Sequence, residues 1–328
     1  MLPSGAYRVQ VQKDGIRKSF TAKTQQEAEL MAAEFAAGRN QAPKSSLSLS
    51  KAIQAYIDAS DGTLSPSTIR GYSAWLKQIE KDDIHARKIS DITTADLQLF
   101  VKRLLKDYSA KSIRNIFGLV SASMGFHGVP TPRGVNLPTV ERKAYSVPNA
   151  DDLKRVLKDV KDTKMEIPVL LGICGLRLSE IVGLTTQDLD KDQHAVYIHR
   201  AVVMDQNNAL VTKGTKTRSS TRTIILPPFI FDKLAALDDG PITHLTPHAI
   251  TDRWFHIRKR AGIDTRFHDL RHFSVSIAHA LGVGDQYIMH RHGFATDSTM
   301  KRVYRNEIDT YEKQANDVIN DFYEKNFK

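Results

Sequence analysis

Along the first forty residues the hydrophobic positions change period once. Tyr7, Val9 and Val11 point one way while Arg8, Gln10 and Gln12 point the other, the two-residue repeat of a half-buried strand. Asp14-Gly15 has the composition of a type I′ turn, and Ile16 to Phe20 supplies the return strand. From Gln25 to Ala37 the spacing becomes helical, and Ala28, Leu30, Met31 and Phe35 suit a helix packed across the small sheet. The pattern predicts a first module over residues 1–43, a small sheet plus one helix, whose exposed strand face carries Arg8, Arg17, Lys18 and Lys23.

Pro43 and the stretch Lys44 to Ser50 combine turn formers with little apolar content, as a linker does. Helical signals then follow in series. Leu49 to Ala59 comes first, then Ser65-Pro66 as cap and first helical position before Thr68 to Ile79. Thr93 or Thr94 caps Ala95 to Lys106, and Ser109 caps Ala110 to Phe126. Short connections between such helices predict an all-α bundle over residues 47–128. Pro130, Pro132, Gly134 and Pro138 crowd a second linker, 129–146, because proline neither propagates a helix nor donates to a sheet ladder.

The third domain, 147–328, opens with Asn149 capping Asp151 to Val160, and a further helix from Met165 ends at Gly175. Alternation in Val196 to Val203 and again in Thr221 to Leu226 predicts a β-hairpin whose tip is rich in Lys and Ser. Helical patterns return from there to the C-terminus. In the tail, Tyr311, Ala315, Val318, Ile319 and Phe322 recur at helical spacing, for packing on their own domain or on a neighbouring protomer. The fold class expected is multidomain, mainly α with small β-sheets.

Composition narrows the function classes. A chain of 328 residues exceeds one small core, and no apolar run approaches the roughly 20 residues that span a bilayer. Met1-Leu2-Pro3-Ser4-Gly5 lacks the basic head and apolar stretch of a secretion signal, and the single Cys174 forms no internal disulfide, so a cytoplasmic setting is expected. The net charge of +10 favours a polyanionic partner, since clustered Lys and Arg displace counterions from phosphates. Basic residues on the first module and the bundle, Lys111 and Arg114 among the latter, are either solvated or face phosphates; in the second case the first sheet is a β-ribbon for a DNA groove.

Four clusters in the third domain carry chemistry. In Cys174-Gly175-Leu176-Arg177-Leu178-Ser179-Glu180 a helix ends at a glycine, and the guanidinium on the following turn can present parallel N–H donors to a phosphate. Pairing of Arg177 with Glu180 is the plainer role, and the two are compatible. Lys213-Gly214-Thr215-Lys216-Thr217-Arg218-Ser219-Ser220 is either a solvated tip or a source of a lysine that protonates a leaving oxygen. His268-Asp269-Leu270-Arg271-His272 offers His plus Arg to a phosphate, or two His to a metal; Asp269 stands where a zincin motif needs Glu, so no metal is assigned. The stretch from His290-Arg291-His292-Gly293-Phe294 to Lys301-Arg302-Val303-Tyr304-Arg305 surrounds a tyrosine with cations that favour its phenolate.

In their order and wording these clusters resemble the tyrosine recombinase family, especially the integrases of temperate phages and integrative elements, over essentially the whole chain. The resemblance implies an arm-binding module of three strands plus a helix, a helical core-binding domain and a mixed α/β catalytic domain. It implies Arg177, Lys216, His268, Arg271 and Tyr304 as catalytic residues, with Lys213 as the competing hairpin lysine. Arg8, Arg17, Lys18, Lys111 and Arg114 are the candidate DNA contacts. It further implies a 3′-phosphotyrosyl intermediate formed without metal, ATP or other cofactor, double-stranded DNA as substrate, and a homo-tetramer assembled on DNA. An excisionase or DNA-bending protein would be its accessory partner. The family usually places His or Trp after a glycine nine or ten residues before its tyrosine; here Phe294 stands there and has no hydrogen-bond donor, which leaves His292 as substitute or the donor absent. A weakened DNA-binding regulator of the same fold and a type IB topoisomerase are the rival readings.

Overall fold

A computed structural model describes Leu2 and residues 5–13, 16–36, 46–141, 148–214 and 220–296. The chain divides into two compact units, residues up to 141 forming the first, except that the short segment Ser65–Arg70 groups with the second.

In the first unit, β1 (Tyr7–Lys13) pairs antiparallel with β2 (Ile16–Ala22), and α1 (Gln25–Ala36) packs on the pair through buried Ala28 and Ala32. Among the described residues this module has two strands, where three are expected. The register corrects one assignment. Val11 lies opposite Lys18 and Val9 opposite Phe20, so Lys18 shares the face covered by α1, and its ammonium sits 5.4 Å from the Phe20 ring and 5.2 Å from that of Phe35. A strand's period of two sends consecutive residues to opposite faces, so Arg17, opposite Gln12, stays on the open face with Arg8 while Lys18 does not.

The helical bundle follows the capping signals closely. Its helices are α2 (Leu49–Ser60), α3 (Pro66–Ile79), α4 (Thr94–Leu104) and α5 (Ala110–Phe126). Thr93 caps α4 reciprocally with Asp96, and Ser109 Oγ accepts from the Ser112 N–H at the start of α5. Leu49, Ile53 and Ile57 from α2, Phe100 and Leu104 from α4, and Ile113, Ile116 and Val120 from α5 are buried at helical spacing; each contributes about 1.5–3 kcal/mol. The expected linker is in part strapped to this bundle. Thr94 Oγ1 donates to the Arg133 carbonyl (3.0 Å), Gln98 and Asn136 exchange two hydrogen bonds, and Arg114 Nε donates to the Pro138 carbonyl (2.8 Å).

The second unit has a core drawn from α6 (Ala150–Val160), α7 (Glu166–Ile173), α8 (Leu178–Gly183), β4 (Ala195–Ile198), β7 (Arg222–Ile225), α9 (Pro228–Ala235), α10 (Pro247–Ala261) and α11 (Asp269–Ala280). Helix α7 is apolar on nearly every side and is buried through Pro168, Val169, Leu170, Leu171 and Gly172. The predicted hairpin resolves differently. Strand β4 pairs with β7, and with β3 (Leu189–Asp190) on its other edge, whereas β5 (Arg200–Met204) pairs with β6 (Leu210–Gly214). The apolar run from 196 to 203 is therefore two strands that separate at His199. The tip of the β5–β6 hairpin is the 205–209 turn, where Asp205 accepts from the N–H groups of Asn207 and Ala209. Lys213 and Gly214 are strand residues, and Lys216 lies outside the described residues. So do Tyr304 and the tail from 309 to 327. Helix α12 (Asp285–His292) closes the described chain. Among the described residues no helix is long and apolar enough to cross a membrane.

Candidate active site

The last turn of a helix leaves carbonyls without backbone partners. At α12, Gly293 adopts φ +59, and its N–H and that of Phe294 return to the carbonyls of His290 and Met289. Three consecutive carbonyls remain, and each receives one arginine. Arg222 Nε donates to Arg291 O (2.7 Å), Arg271 Nη2 to His292 O, and Arg177 Nη2 to Gly293 O (2.9 Å). The negative end of the helix dipole thus gathers cations from the N-cap of α8, from β7 and from α11. Arg271 also donates through Nη1 to Gly175 O, on the turn between α7 and α8.

One carboxylate serves this group. Glu180 Oε1 accepts from Arg177 Nη1 (2.7 Å) and Arg222 Nη1 (3.0 Å), and Oε2 accepts from the Arg177 backbone N–H (2.8 Å) and Arg222 Nη2 (2.9 Å). Burial alone would raise its pKa, but the hydrogen bonds and charge of Arg222, with the charge of Arg177, hold it at about 2. Three guanidinium groups against one carboxylate leave two positive charges in excess. Arg271 bears the strain of this. Burial first, then the neighbouring Arg177 charge, pushes its pKa well below the ordinary arginine value. A guanidinium keeps its proton in proteins, so the cluster is primed for an anion. Arg177 retains 31% of its side-chain surface, which makes it the member that solvent or a ligand reaches.

The histidines divide into one open and two buried. His268, at the N-cap of α11, is exposed, and partial desolvation followed by the Arg271 charge lowers its pKa, which keeps it neutral near pH 7. His272 stacks edge-on against it at 5.1 Å and is pushed to about 4 by burial and the His268 charge. His292 is wholly buried. Its Nδ1 donates to Ile288 O (2.9 Å), so its Nε2 accepts from Ser274 Oγ (3.0 Å), and burial holds its pKa at about 3. That arrangement removes His292 as a substitute donor, because both ring nitrogens are spent inside the protein. Phe294 instead stacks on the His292 ring (5.9 Å, 14°) and places its face 4.8 Å from Arg271 Cζ. Among the described residues no three His, Cys, Asp or Glu side chains are grouped to hold a metal.

Of the five expected catalytic residues, Arg177, His268 and Arg271 come together here; Lys216 and Tyr304 lie outside the described residues. Lys213 sits in β6 opposite Ala201. Among the expected DNA contacts, Arg8, Arg17, Lys111 and Arg114 are exposed, but Arg114 is engaged with the carbonyls of Leu137 and Pro138. Arg222 escaped the sequence reading. Its signal was present, since the alternation of β7 puts an arginine on the same inward face as Ile224.

Comparison with known proteins finds one family model and several related structures. Residues 149–310 match the model of the phage integrase family. A tyrosine recombinase XerA of Thermococcus kodakarensis is 22% identical over 228 residues, which cover 63% of this chain and 73% of the archaeal protein. Among solved structures, the Tn1549 transposon integrase bound to transposon right-end DNA superposes with a TM-score of 0.65 at 16% identity, over 80% of this chain and 99% of that one. A lambda integrase tetramer bound to a Holliday junction gives 0.60 at 17% identity, over 92% of this chain and 93% of that one.

Proposed function

We propose that this chain is a tyrosine recombinase of the integrase type, which cleaves and rejoins the strands of double-stranded DNA to integrate or excise a mobile element or prophage. The observation that carries the reading is the excess of guanidinium over carboxylate at the end of α12. A phosphodiester in transfer gathers charge on its non-bridging oxygens, and preorganised cationic donors stabilise that charge without reorganising. Arg177 and Arg271 take this role. Tyr304 attacks phosphorus, a Tyr304 Oη–P bond forms, and the bond from phosphorus to the 5′ oxygen breaks, leaving a 3′-phosphotyrosine. The phenolic proton passes to His268, kept neutral by its lowered pKa, and Lys216 donates a proton to the departing 5′ oxygen. One phosphoester replaces another, so a 5′ hydroxyl from a partner strand reverses the step without ATP or metal.

Recombination between two duplexes calls for a homo-tetramer on DNA, with Arg8, Arg17 and Lys111 on phosphates and an excisionase or DNA-bending protein to set direction. The test is covalent trapping on a randomised pool of nicked duplexes, in chelator, with the parent and Tyr304→Phe. A protein–DNA adduct in the parent and none in the variant is expected. An adduct that persists in Tyr304→Phe, or that requires a divalent metal, sinks the assignment. One observation favours a second reading, a DNA-binding regulator with weakened strand transfer: Phe294 offers no donor and His292 is tied inward. Under it the parent binds DNA but yields no adduct.

A further inference from the structure

Arg222 is the arginine of this cluster that no substrate reaches. Its side chain has no exposed surface, and four of its five N–H donors are accounted for by Glu180 (two), Ser220 O (3.0 Å) and Arg291 O. A group so enclosed does not bind phosphate. Its effect falls on Glu180, whose two oxygens it shares equally with Arg177. Without Arg222, the carboxylate would face Arg177 in a one-to-one pair, and the two charges would cancel where Arg177 reaches solvent. With Arg222 present, the trio keeps one positive charge, and Glu180 still orients the Arg177 guanidinium and caps its backbone.

We infer that Arg222 is a positioning residue: it neutralises and aims Glu180, so that Arg177 is held in place without surrendering its charge and presents that charge to the phosphate. The inference rests on the reading above that the arginine cluster receives a phosphodiester. Electrostatic positioning is separated from simple packing by where the loss falls: a purely structural arginine shows its loss and its rescue in the melts, whereas a positioning one shows them in phosphate binding by protein that is still folded.

The experiment compares the parent with Arg222→Lys, Arg222→Met and the double variant Arg222→Met/Glu180→Gln. Binding of inorganic phosphate is measured by calorimetry, adduct formation by single-turnover trapping on nicked duplexes, and folding by thermal melts. Arg222→Met is expected to weaken phosphate binding about tenfold and to slow adduct formation about 100-fold, the scale of losing one preorganised donor. Arg222→Lys retains the charge and stays within about tenfold of the parent. The double variant, freed of the carboxylate charge that otherwise cancels Arg177, regains about tenfold over Arg222→Met in both assays. A double variant no better than Arg222→Met, or an Arg222→Met equal to the parent, overturns the inference. Should Arg222→Met fail to fold, Arg222→Lys decides, since a loss of about 100-fold in a Lys variant that melts as the parent does is incompatible with a role carried by charge. Phosphate binding that follows this order in a protein forming no adduct would remove the strand-cleavage reading and leave the inference standing.

Discussion

Replacing Gly175 by alanine perturbs the site through one methyl group. Gly175 has φ +95, and a Cβ there would lie 2.6 Å from His292 Nε2, 2.7 Å from His292 Cδ2 and 3.0 Å from Ser274 Oγ. The imidazole has little room to yield, being bonded at both nitrogens and stacked against Phe294. Backbone strain in the left-handed region costs about 1–2 kcal/mol for a non-glycine residue, and forcing an atom into a packed interior adds about 1–3 kcal/mol. The sum is roughly 2–5 kcal/mol, or about 4–20 °C in Tm for a unit of this size. Gly262 is the internal control, with φ +68 and open space around its would-be Cβ, so Gly262→Ala carries strain alone and costs about 1 kcal/mol. The assay is paired thermal and urea melts of both variants, with adduct trapping alongside. Because the displaced ring belongs to the turn whose carbonyls hold Arg177, Arg222 and Arg271, Gly175→Ala should also lose strand cleavage at temperatures where it is still folded. Equal melting of the two variants would refute the close approach on which this reasoning depends.

Other expectations follow from the same geometry. His272 and His292, held at about 4 and about 3 against an ordinary 6.5, bind fewer protons folded than unfolded between those values; their stability is intact above about pH 6.5 and is lost as pH falls, by up to about 1.4 kcal/mol per unit for each. Glu180, held at about 2 against 4.5, adds to that loss only below about pH 4.5, so urea melts at pH 7, 6 and 5 should already show a decline of a few kcal/mol, and a flat profile contradicts it. Phe294→Leu removes a ring face from Arg271 worth about 0.5–2 kcal/mol, so adduct formation should slow by up to about 30-fold while Phe294→Tyr stays near the parent; equal rates for all three exclude the contact. Arg8→Ala and Arg17→Ala should each lower the salt dependence of DNA binding by about one unit, whereas Lys18→Ala, on the helix-covered face, should leave it unchanged.

Local signals determined much of this molecule. Capping residues and period fixed the helices of the bundle and the first helix of the second unit, because Thr93, Ser109 and Asn149 satisfy orphan N–H groups within three residues of themselves, whatever the rest of the chain does. The motifs around Arg177 and His268 were likewise legible, since each is a short run of residue types with its own chemistry. What the sequence left open were facts that need two distant segments. Strand pairing assigned Lys213 to a strand and Lys18 to the covered face, and no local pattern states which strand a neighbour will be. Folding alone brought Glu180 beside Arg222, 42 positions away, and hung three arginines from one helix end. It also turned His292 inward, where a motif would have it act. Sequence names the groups capable of chemistry; which of them keep a donor or a charge to spare depends on the partners that tertiary packing supplies, because a hydrogen bond or a neutralising charge spent inside the protein is no longer there for a substrate.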